Sequence, residues 1–321
     1  MQSGTVLKYD FLQWCTKKCP KCGKNGIQKW GKRRGIQRYF CRNCRQSFSE
    51  KRRKKSPKNQ IWNEFLAGKT QTKIAQNLGK SRAFVNQNCA KYWGNKNMIN
   101  PLVKPQKVVL ILDTTYFKTF GILVAREPNL GQNLYFDVVE RENLSEYQNA
   151  IFRLRDAGFE VSAIVADGFP GLRKLFPKIP FQKCHFHQFQ TVTKYISKNP
   201  KLPASIEFRN LMFSLKYAKK QTFECDLNLW YQKWQKFLAE KSTNPETGKQ
   251  VFTHKRLRQA FFAVRRNLDN LFTFQHFPKL RIPNTTNSID GFFGHLKSKI
   301  KNHRGISQVT RFKLISDLVF L

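Results

Sequence analysis

The sequence VVLILDTTYF, residues Val108–Phe117, decides how the central part of this chain folds. Its five leading apolar residues predict a strand, Val108–Leu112, that is buried on both faces in the middle of a mixed sheet. The predicted strand ends at Asp113, and a charge at the end of a buried strand is costly unless it is paired, solvated or bound to a metal. Such a carboxylate can also cap the following turn, so Asp113 alone does not distinguish a turn cap from a catalytic group.

A second segment of the same form lies further along the chain. Val161–Ala166 is again apolar and is again followed by a carboxylate, Asp167. The elements predicted between the two segments are strands at 117–125 and 133–139 and a helix at 144–157. Because a crossover helix precedes the second segment, we expect the two strands to be parallel neighbours. Asp113 and Asp167 would then meet at the carboxyl edge of the sheet, where open α/β sheets bind ligands, and together they predict a metal site.

Charge is the strongest compositional signal. The 321 residues include 59 Lys and Arg against 20 Asp and Glu, which gives a formal net charge of +39. Residues 1–105 hold 25 of the basic residues and only 3 of the acidic ones. An excess of this kind predicts a polyanionic partner, and nucleic acid is the usual one.

Length and segment composition indicate the compartment and the number of folding units. A chain of 321 residues predicts two or more units with sizeable cores. The N-terminal sequence MQSGTVLKYD lacks the pattern of a secretory or transit segment. No apolar run approaches the roughly 20 residues that a membrane span requires. We therefore expect a soluble, intracellular protein without a membrane partner.

Two Cys-x-x-Cys pairs predict a metal centre near the N-terminus. Cys19 and Cys22 form the first pair, and Cys41 and Cys44 form the second. This spacing fits a four-thiolate Zn²⁺ site of the zinc-ribbon type, although two unconnected reduced pairs would have the same sequence. The clustering favours metal binding over disulfides and suits a reducing compartment. We expect residues 1–55 to form a zinc ribbon followed by a basic linker.

Basic side chains in this N-terminal region are candidates for contacts with DNA phosphates. The candidates are Arg33, Arg34 and Arg38 in the predicted ribbon and Arg52 and Arg53 in the linker.

Residues 56–97 have the helical periodicity of a helix-turn-helix. Thr70 and Ser81 are the predicted N-caps of the second and third helices, and Gly79 lies in the short turn between them. A three-helix packing module without a DNA-binding role would have the same pattern. In the DNA-binding interpretation, the third helix presents polar side chains to the major groove, namely Lys80, Arg82, Asn86, Gln87 and Lys91. The stretch from Asn95 to Gln106, with two prolines and no periodicity, predicts a domain boundary.

The C-terminal half carries two further motifs. Cys184-x-x-His187 stands where a predicted fifth strand runs into a helix; alone it is a weak signal, since a buried Cys beside a half-buried His is common. Residues 188–283 are helical and aromatic, which favours ordinary core over a base-stacking surface. In the sequence TTNSIDG, Thr286 or Ser288 is the predicted N-cap of a helix whose first turn contains Asp290. An acid in that position is also a routine partner of the helix dipole.

Taken together, Asp113, the sequence Ala166-Asp167-Gly168, Cys184-x-x-His187 and TTNSIDG resemble the DDE transposases of bacterial insertion sequences, of the Mutator-like type. The resemblance covers roughly residues 106–310. It implies a multidomain α/β protein in which a zinc ribbon and a helix-turn-helix precede a ribonuclease-H-like mixed α/β core. The implied divisions of the core are its first part at 106–187, an all-helical insertion at 188–283 and the C-terminal catalytic helices at 284–321.

The resemblance also implies a reaction. Asp113, Asp167 and Asp290 would hold Mg²⁺ or Mn²⁺, His187 would lie near the scissile phosphate, and Cys184 would support it. The protein would bind the inverted repeats at transposon ends, cleave a strand there and join the freed 3′-OH to target DNA. It would act as a homodimer or larger assembly on DNA in the bacterial cytoplasm, associated with the nucleoid.

The chain departs from the family pattern at its third acid, which is usually Glu. Asp290 is one methylene shorter, so its reach from the helix is less. This departure keeps a second hypothesis open, a catalytically decayed transposase that acts as a DNA-binding protein or repressor. A structure-selective nuclease on a similar core is a third. The apolar stretch Leu314–Leu321 leads us to expect a shortened C-terminus.

Overall fold

The computed structural model of the chain describes residues 18–33, 35–49, 57–92, 97–118 and 120–321. The chain divides into two compact units, Met1–Gln60 and Ile61–Leu321. The first unit contains a three-stranded antiparallel sheet around a very small core of Cys19, Ile27 and Cys41. In sheet order, its strands are β1 (Ile27–Arg33), β2 (Ile36–Cys41) and β3 (Ser47–Ser49).

Three helices follow with the caps that the sequence predicts. They are α1 (Pro57–Leu66), α2 (Gln71–Leu78) and α3 (Arg82–Lys91). The Thr70 hydroxyl accepts a hydrogen bond from the Lys73 amide, and the Ser81 hydroxyl accepts one from the Phe84 amide. Gly79 ends α2 in the left-handed region, with φ of 59°, where glycine adds no steric cost. Both predicted N-caps and the glycine turn are therefore confirmed.

A five-stranded mixed sheet forms the centre of the second unit, in the order β6-β5-β4-β7-β8. Its strands are β4 (Lys107–Phe117), β5 (Phe120–Glu127), β6 (Gln132–Val139), β7 (Glu160–Ala166) and β8 (Phe181–Lys183), and the crossover helix α4 (Leu144–Asp156) connects β6 to β7. β4 pairs with β7 in parallel, which confirms the predicted neighbours, and β7 pairs with β8 in parallel. β4 to β6 form an antiparallel meander.

The predicted end of the first sheet strand is wrong. β4 continues past Leu112 to Phe117, so Asp113 lies within a strand instead of at its end. The extension occurs because Thr114, Thr115 and Tyr116 all favour strands and because β5 pairs with them throughout. The second strand consequently begins at Phe120, not at residue 117.

The predicted insertion is not all helical. A short helix, α5 (Leu172–Leu175), precedes β8, and α6 (His185–Ile196) leads from β8 into the predicted insertion. The elements after α6 are α7 (Pro203–Ser214), α8 (Lys220–Ala239), β9 (Lys241–Thr243), β10 (Gln250–Phe252), α9 (Lys255–Leu271), α10 (Thr273–His276), a 3₁₀ turn (Pro278–Leu280), α11 (Asn287–Lys301) and α12 (Gln308–Leu318). β9 and β10 form an antiparallel hairpin. The Asn244 side chain accepts hydrogen bonds from two amides of its loop, and Gly248 closes that loop with φ of 65°.

The central sheet buries both faces, because successive side chains of a strand point to opposite sides. One face packs Val108, Leu110 and Leu112 against α4 and α5. The other face shares one hydrophobic cluster with α1, α2, α3, α11 and α12. The insertion helices have a core of their own, rich in Phe and Trp side chains. No helix in the described part of the chain is long and apolar enough to cross a membrane.

Candidate active site and metal centre

The two strand carboxylates lie where the parallel pairing of β4 and β7 stops. The last paired residues of this ladder are Ile111 and Val165. Beyond them, Asp113 remains paired on its other side with Val124 of β5, and Asp167 is the first residue after β7. Both side chains are half-buried. The register of the sheet thus places the two predicted acids at the same edge.

Each of these carboxylates uses one oxygen to fix its own loop or strand. The Thr114 amide donates to Asp113 Oδ1 at 2.8 Å, and the Phe169 amide donates to Asp167 Oδ1 at 3.0 Å. The second oxygen of each makes no hydrogen bond within the described part of the chain. Two oxygens at this edge are therefore free to receive a ligand.

Asp290 is positioned by a buried threonine. It lies in the first turn of α11 and accepts a hydrogen bond at its Oδ2 from the Thr286 hydroxyl, at 3.0 Å. Thr286 is the N-cap residue of α11, one of the two that the sequence predicts for this position. Its hydroxyl makes no capping hydrogen bond with an amide of the first turn, however. The same hydroxyl lies 3.4 Å from Cys184 Sγ and 3.5 Å from His187 Nδ1. Thr286 therefore connects the third acid to the Cys-x-x-His pair.

The Cys-x-x-His pair forms as predicted at the junction of β8 and α6. Cys184 is fully buried, its amide donates to the Ala166 carbonyl, and its sulfur accepts a hydrogen bond from the Thr286 amide at 3.3 Å. Burial acts to raise the pKa of the Cys184 thiol, but hydrogen bonds with His187 and Thr286 outweigh it and lower the pKa. The hydrogen bond with Cys184 raises the pKa of the His187 ring, and the nearby charges of Asp167 and Asp113 add to that effect.

The charges of the other two predicted acids both act on Asp113. Burial raises the pKa of Asp113 to about 7, against the opposing effect of the Thr114 amide. The charges of Asp167 and then Asp290 raise this pKa further, and His187 lowers it. Like charges raise a carboxyl pKa only at short range, so Asp113 lies in the field of both other acids.

One basic neighbour of these acids, Lys183, is not predicted from the sequence. Burial lowers the pKa of Lys183, and the charge of Asp167 opposes that shift. A side-chain carbon at Gly168 would lie only 2.8 Å from Lys183 Nζ. The signal that could have found it is the sheet register, since β8 runs parallel to β7 and pairs Lys183 with Ala166, the residue before Asp167.

Within the described ranges, only the four cysteines bring three or more potential ligand atoms within 4.8 Å of one another. The three aspartates do not meet that spacing together. The Sγ atoms of Cys19 and Cys44 are 3.6 Å apart, and those of Cys22 and Cys41 are 3.7 Å apart. A tetrahedral zinc site with Zn–S bonds of about 2.3 Å has sulfurs about 3.8 Å apart, whereas a disulfide requires about 2 Å. The cluster thus has the geometry of a metal-binding site.

Two cysteines of this cluster differ in their pKa. A hydrogen bond from the Cys22 amide is the main reason that the pKa of Cys19 falls to about 6, whereas burial raises the pKa of Cys44. Because zinc binds thiolates, the backbone hydrogen bond favours the ligand form of Cys19. The four residues that the sequence predicts as zinc ligands are therefore the ones that the fold brings together.

The predicted DNA-contacting residues of the three-helix segment are all exposed. They are Lys80, Arg82, Asn86, Gln87 and Lys91. In the first unit, Arg33 is exposed, and Arg38 is half-buried with its guanidinium 3.4 Å from the Ser47 hydroxyl. Arg34, Arg52 and Arg53 lie outside the described residues. The aromatic residues of the insertion, such as Phe208, Trp230 and Phe261, are mostly core, as the sequence favoured.

Comparisons with known proteins add little to this geometry. No protein-family model matches the chain, and no curated protein matches it. Among solved structures, a chain in the cryo-EM structure of a simian T-cell lymphotropic virus intasome in complex with the PP2A regulatory subunit B56 gamma is similar at 13% sequence identity. The similarity covers 50% of this chain and 69% of that chain, with a TM-score of 0.21. A TM-score this low supports no conclusion about fold or function.

Proposed function

We propose that this chain is a DNA transposase of the DDE type with a ribonuclease-H-like core, which binds transposon ends and catalyses metal-dependent strand cleavage and 3′-OH strand transfer. The observation that carries the proposal is the convergence of Asp113, Asp167 and Asp290. These acids come from two neighbouring parallel strands and a helix, and the charges of two of them raise the pKa of the third. Strand order, with Asp113 central and Asp167 on the adjacent strand, is consistent with such a core.

The acids fit a divalent cation of the hard, oxygen-binding kind. None of the three forms an ion pair with a basic side chain in the described part of the chain, and the charges of His187 and Lys183 offset only part of their mutual repulsion. Bound Mg²⁺ or Mn²⁺ would neutralise them and stabilise charge on the attacking and leaving oxygens of phosphoryl transfer. Two-metal sites hold ions about 3.5–4 Å apart, so acids shared between two ions need not all lie within 4.8 Å of one another.

His187 and Cys184 have roles that follow from their contacts. The raised pKa of His187 favours a protonated ring beside the acids. A protonated ring suits contact with a phosphate oxygen of DNA, since charge-assisted hydrogen bonds are strong. Cys184, buried behind it, orients the ring together with Thr286.

The charge of the chain supports DNA as the substrate. The net charge of +39 and the exposed polar face of α3 suit a protein that holds DNA against its own acidic site. The four-cysteine cluster is proposed to bind Zn²⁺ in a ribbon that adds further phosphate contacts. A dimer or larger assembly on paired ends, in the bacterial nucleoid, completes the proposal.

The test is cleavage of labelled duplexes that carry the inverted repeats flanking the gene, with Mg²⁺ or Mn²⁺. We expect Asp113→Asn and Asp167→Asn to abolish cleavage while DNA binding is unchanged, because each removes a ligand charge at the candidate site. Asp156→Asn, an exposed change at the end of α4, is the matched control and should cleave normally. Cleavage at the wild-type rate by either site variant would exclude the assignment.

A second candidate function is a catalytically decayed transposase that acts as a DNA-binding repressor. The observation that favours it is the hydrogen bond from Thr286 to Asp290, which occupies one oxygen of an acid that is already one methylene short. Comparison of wild type with Asp290→Glu separates the two. Cleavage by either protein supports the enzyme, and its absence in both with either metal, while DNA binding persists, supports the repressor.

A further inference from the structure

A basic cavity of about 590 Å³ lies between the three-helix segment and the end of α11. Thr70, at the start of α2, and Arg82, at the start of α3, line one side. Lys301, His303 and Arg304 line the other side, where α11 ends. Among the residues that the structure describes, none that lines this cavity is acidic, so the charge of its described lining is positive.

A second cavity, of about 390 Å³, uses the other side of the same turn. It shares Lys301, His303 and Arg304 with the first cavity and adds Lys118, Lys297 and Arg311, and its lining within the described ranges again has no acidic residue. The turn from Lys301 to Arg304 is therefore surrounded by basic groups on both sides. None of the Lys and Arg side chains at residues 82, 301 and 304 makes an ion pair or hydrogen bond within the described part of the chain.

His303 is buried beneath this turn and does not supply the ligand contacts. It is only 4% exposed, and its ring lies 3.8 Å from that of Phe65, centroid to centroid. Burial lowers the pKa of His303, and a hydrogen bond with the Phe65 backbone opposes this only in part. The charged groups that a ligand in the cavity can reach are those of Arg82, Lys301 and Arg304, which are exposed.

The helix dipoles of α3 and α11 do not account for this cluster of basic residues. Lys299 and Lys301 complement the negative end of the α11 dipole, which explains basic residues there. It does not explain Arg304, which lies beyond the helix. It explains Arg82 even less, because Arg82 is the first residue of α3, where a cation is disfavoured by the dipole. The common property of these side chains is that they face one cavity.

We propose that this cavity binds a backbone phosphate of DNA, held by Arg82 from one side and by Lys301 and Arg304 from the other. The amides at the starts of α2 and α3 suit the same ligand, since helix N-termini bind phosphates. The inference rests on the proposed function, because it takes DNA as the ligand. Since α11 also carries Asp290, DNA bound here contacts both the recognition helices and the helix of the candidate active site.

The test measures binding of a short random-sequence DNA duplex by fluorescence anisotropy over a range of KCl concentrations. The variants are Lys301→Ala and Arg304→Ala, with Lys299→Ala as the matched control, since Lys299 is an exposed lysine of the same helix that lines neither cavity. We expect each cavity variant to bind about tenfold more weakly at low salt. Its plot of log affinity against log salt should be shallower by about 0.9 for each phosphate that the variant no longer neutralises.

The control should bind nearly as wild type, and Arg304→Lys should recover part of the affinity because it restores the charge. Thermal unfolding of each variant checks that the exposed substitutions leave the fold intact. If both cavity variants match Lys299→Ala in affinity and in salt slope, the cavity does not hold a phosphate, while the proposed function stands. If the wild-type protein does not bind the duplex at all, the proposed function and this inference fail together.

Discussion

At Asp113, the fold raises the pKa of a carboxyl that the proposed metal chemistry needs in its ionised form. Its carboxylate sits inside a strand, half-buried and in the field of two other acids, and its pKa is raised to about 7. The folded protein therefore keeps the proton on Asp113 up to a higher pH than an ordinary carboxyl does, whereas metal binding requires the ionised form. Functional centres commonly contain ionisable groups whose pKa is shifted in this way, because the charged side chains are unfavourable until a ligand such as a cation binds.

This conflict gives a prediction on pH and stability. Because the pKa of Asp113 is raised above its ordinary value of 3.8, its contribution to stability is fully present below about pH 4 and is lost as the pH rises through about 7. Asp113→Asn should remove this dependence and increase the free energy of unfolding at pH 8 by roughly 2 kcal/mol. Denaturant unfolding at pH 5 and pH 8, with a chelator present, measures it.

Asp156→Asn is the control and should keep the wild-type pH dependence in the same experiment. The charged or titratable groups that act on Asp113 itself are Asp167, Asp290 and His187. Equal slopes of stability against pH for wild type and Asp113→Asn would show that the Asp113 carboxyl is not held near its raised pKa.

Thr286 gives a second prediction at this scale. Its hydroxyl contacts Asp290, Cys184 and His187, so Thr286→Val should leave all three without that partner at nearly constant volume. Groups that orient metal ligands typically matter by about 10–100-fold in metal affinity or activity. We expect cleavage to fall by that factor and to need more Mg²⁺, whereas Thr286→Ser should behave nearly as wild type. A variant that loses only stability, with an unchanged Mg²⁺ requirement, would contradict this positioning role.

At the scale of single elements, the ends of the helices could be predicted from the sequence, but the extent of strand pairing could not. Thr70, Ser81 and Gly79 define their helix ends through neighbouring amides and φ alone, so the sequence is sufficient there. The end of β4 depends instead on how far β5 pairs with it, which is a long-range property. The β9–β10 hairpin was missed because its strands are only three residues long and largely exposed.

In the candidate site, too, some features could be predicted from the sequence and others could not. Asp113 and Asp167 could be paired from strand order, because parallel neighbours end at one edge. The contacts of Thr286 with Cys184 and His187 could not, since they join residues about a hundred positions apart in the chain.

The first unit gives a prediction on metal content. Purified protein should contain about one zinc per chain, because four thiolates complete a tetrahedral site. Cys41→Ser should lose that zinc, whereas Cys225→Ser, which changes an exposed cysteine outside the cluster, should retain it. Elemental analysis of both proteins provides the measurement. Full zinc content in Cys41→Ser would show that the cluster is not the binding site.

At the scale of the whole molecule, the three-helix segment belongs to the second unit's core. Ile61, Phe65 and Val85 share one hydrophobic cluster with residues of β4 and α12. Trp62 Nε1 donates to Asp317 Oδ2 of α12 at 2.5 Å, and the Trp62 ring stacks on Tyr92. The predicted boundary at 95–106 therefore separates segments of the chain that still pack together.

This packing predicts how fragments behave. A peptide of residues 57–92 should be largely unfolded in water, because its apolar side chains would lose the partners that bury them and so short a segment has little core of its own. Residues 57–321 should unfold in one cooperative transition. Circular dichroism during thermal unfolding tests both. A cooperative transition in the short peptide would show that the segment is an independent domain.

The shared core also limits how this protein can be re-engineered or can diversify. A recognition segment that folds alone can be exchanged between proteins as a cassette, but here an exchange would remove part of the wall against which α11 and α12 pack. Under the proposed function, new sequence specificity would have to arise by point substitution on the exposed face of α3, at positions such as Asn86 and Gln87. Chimaeras joined between residues 92 and 107 should therefore aggregate unless the acceptor core is repacked with them.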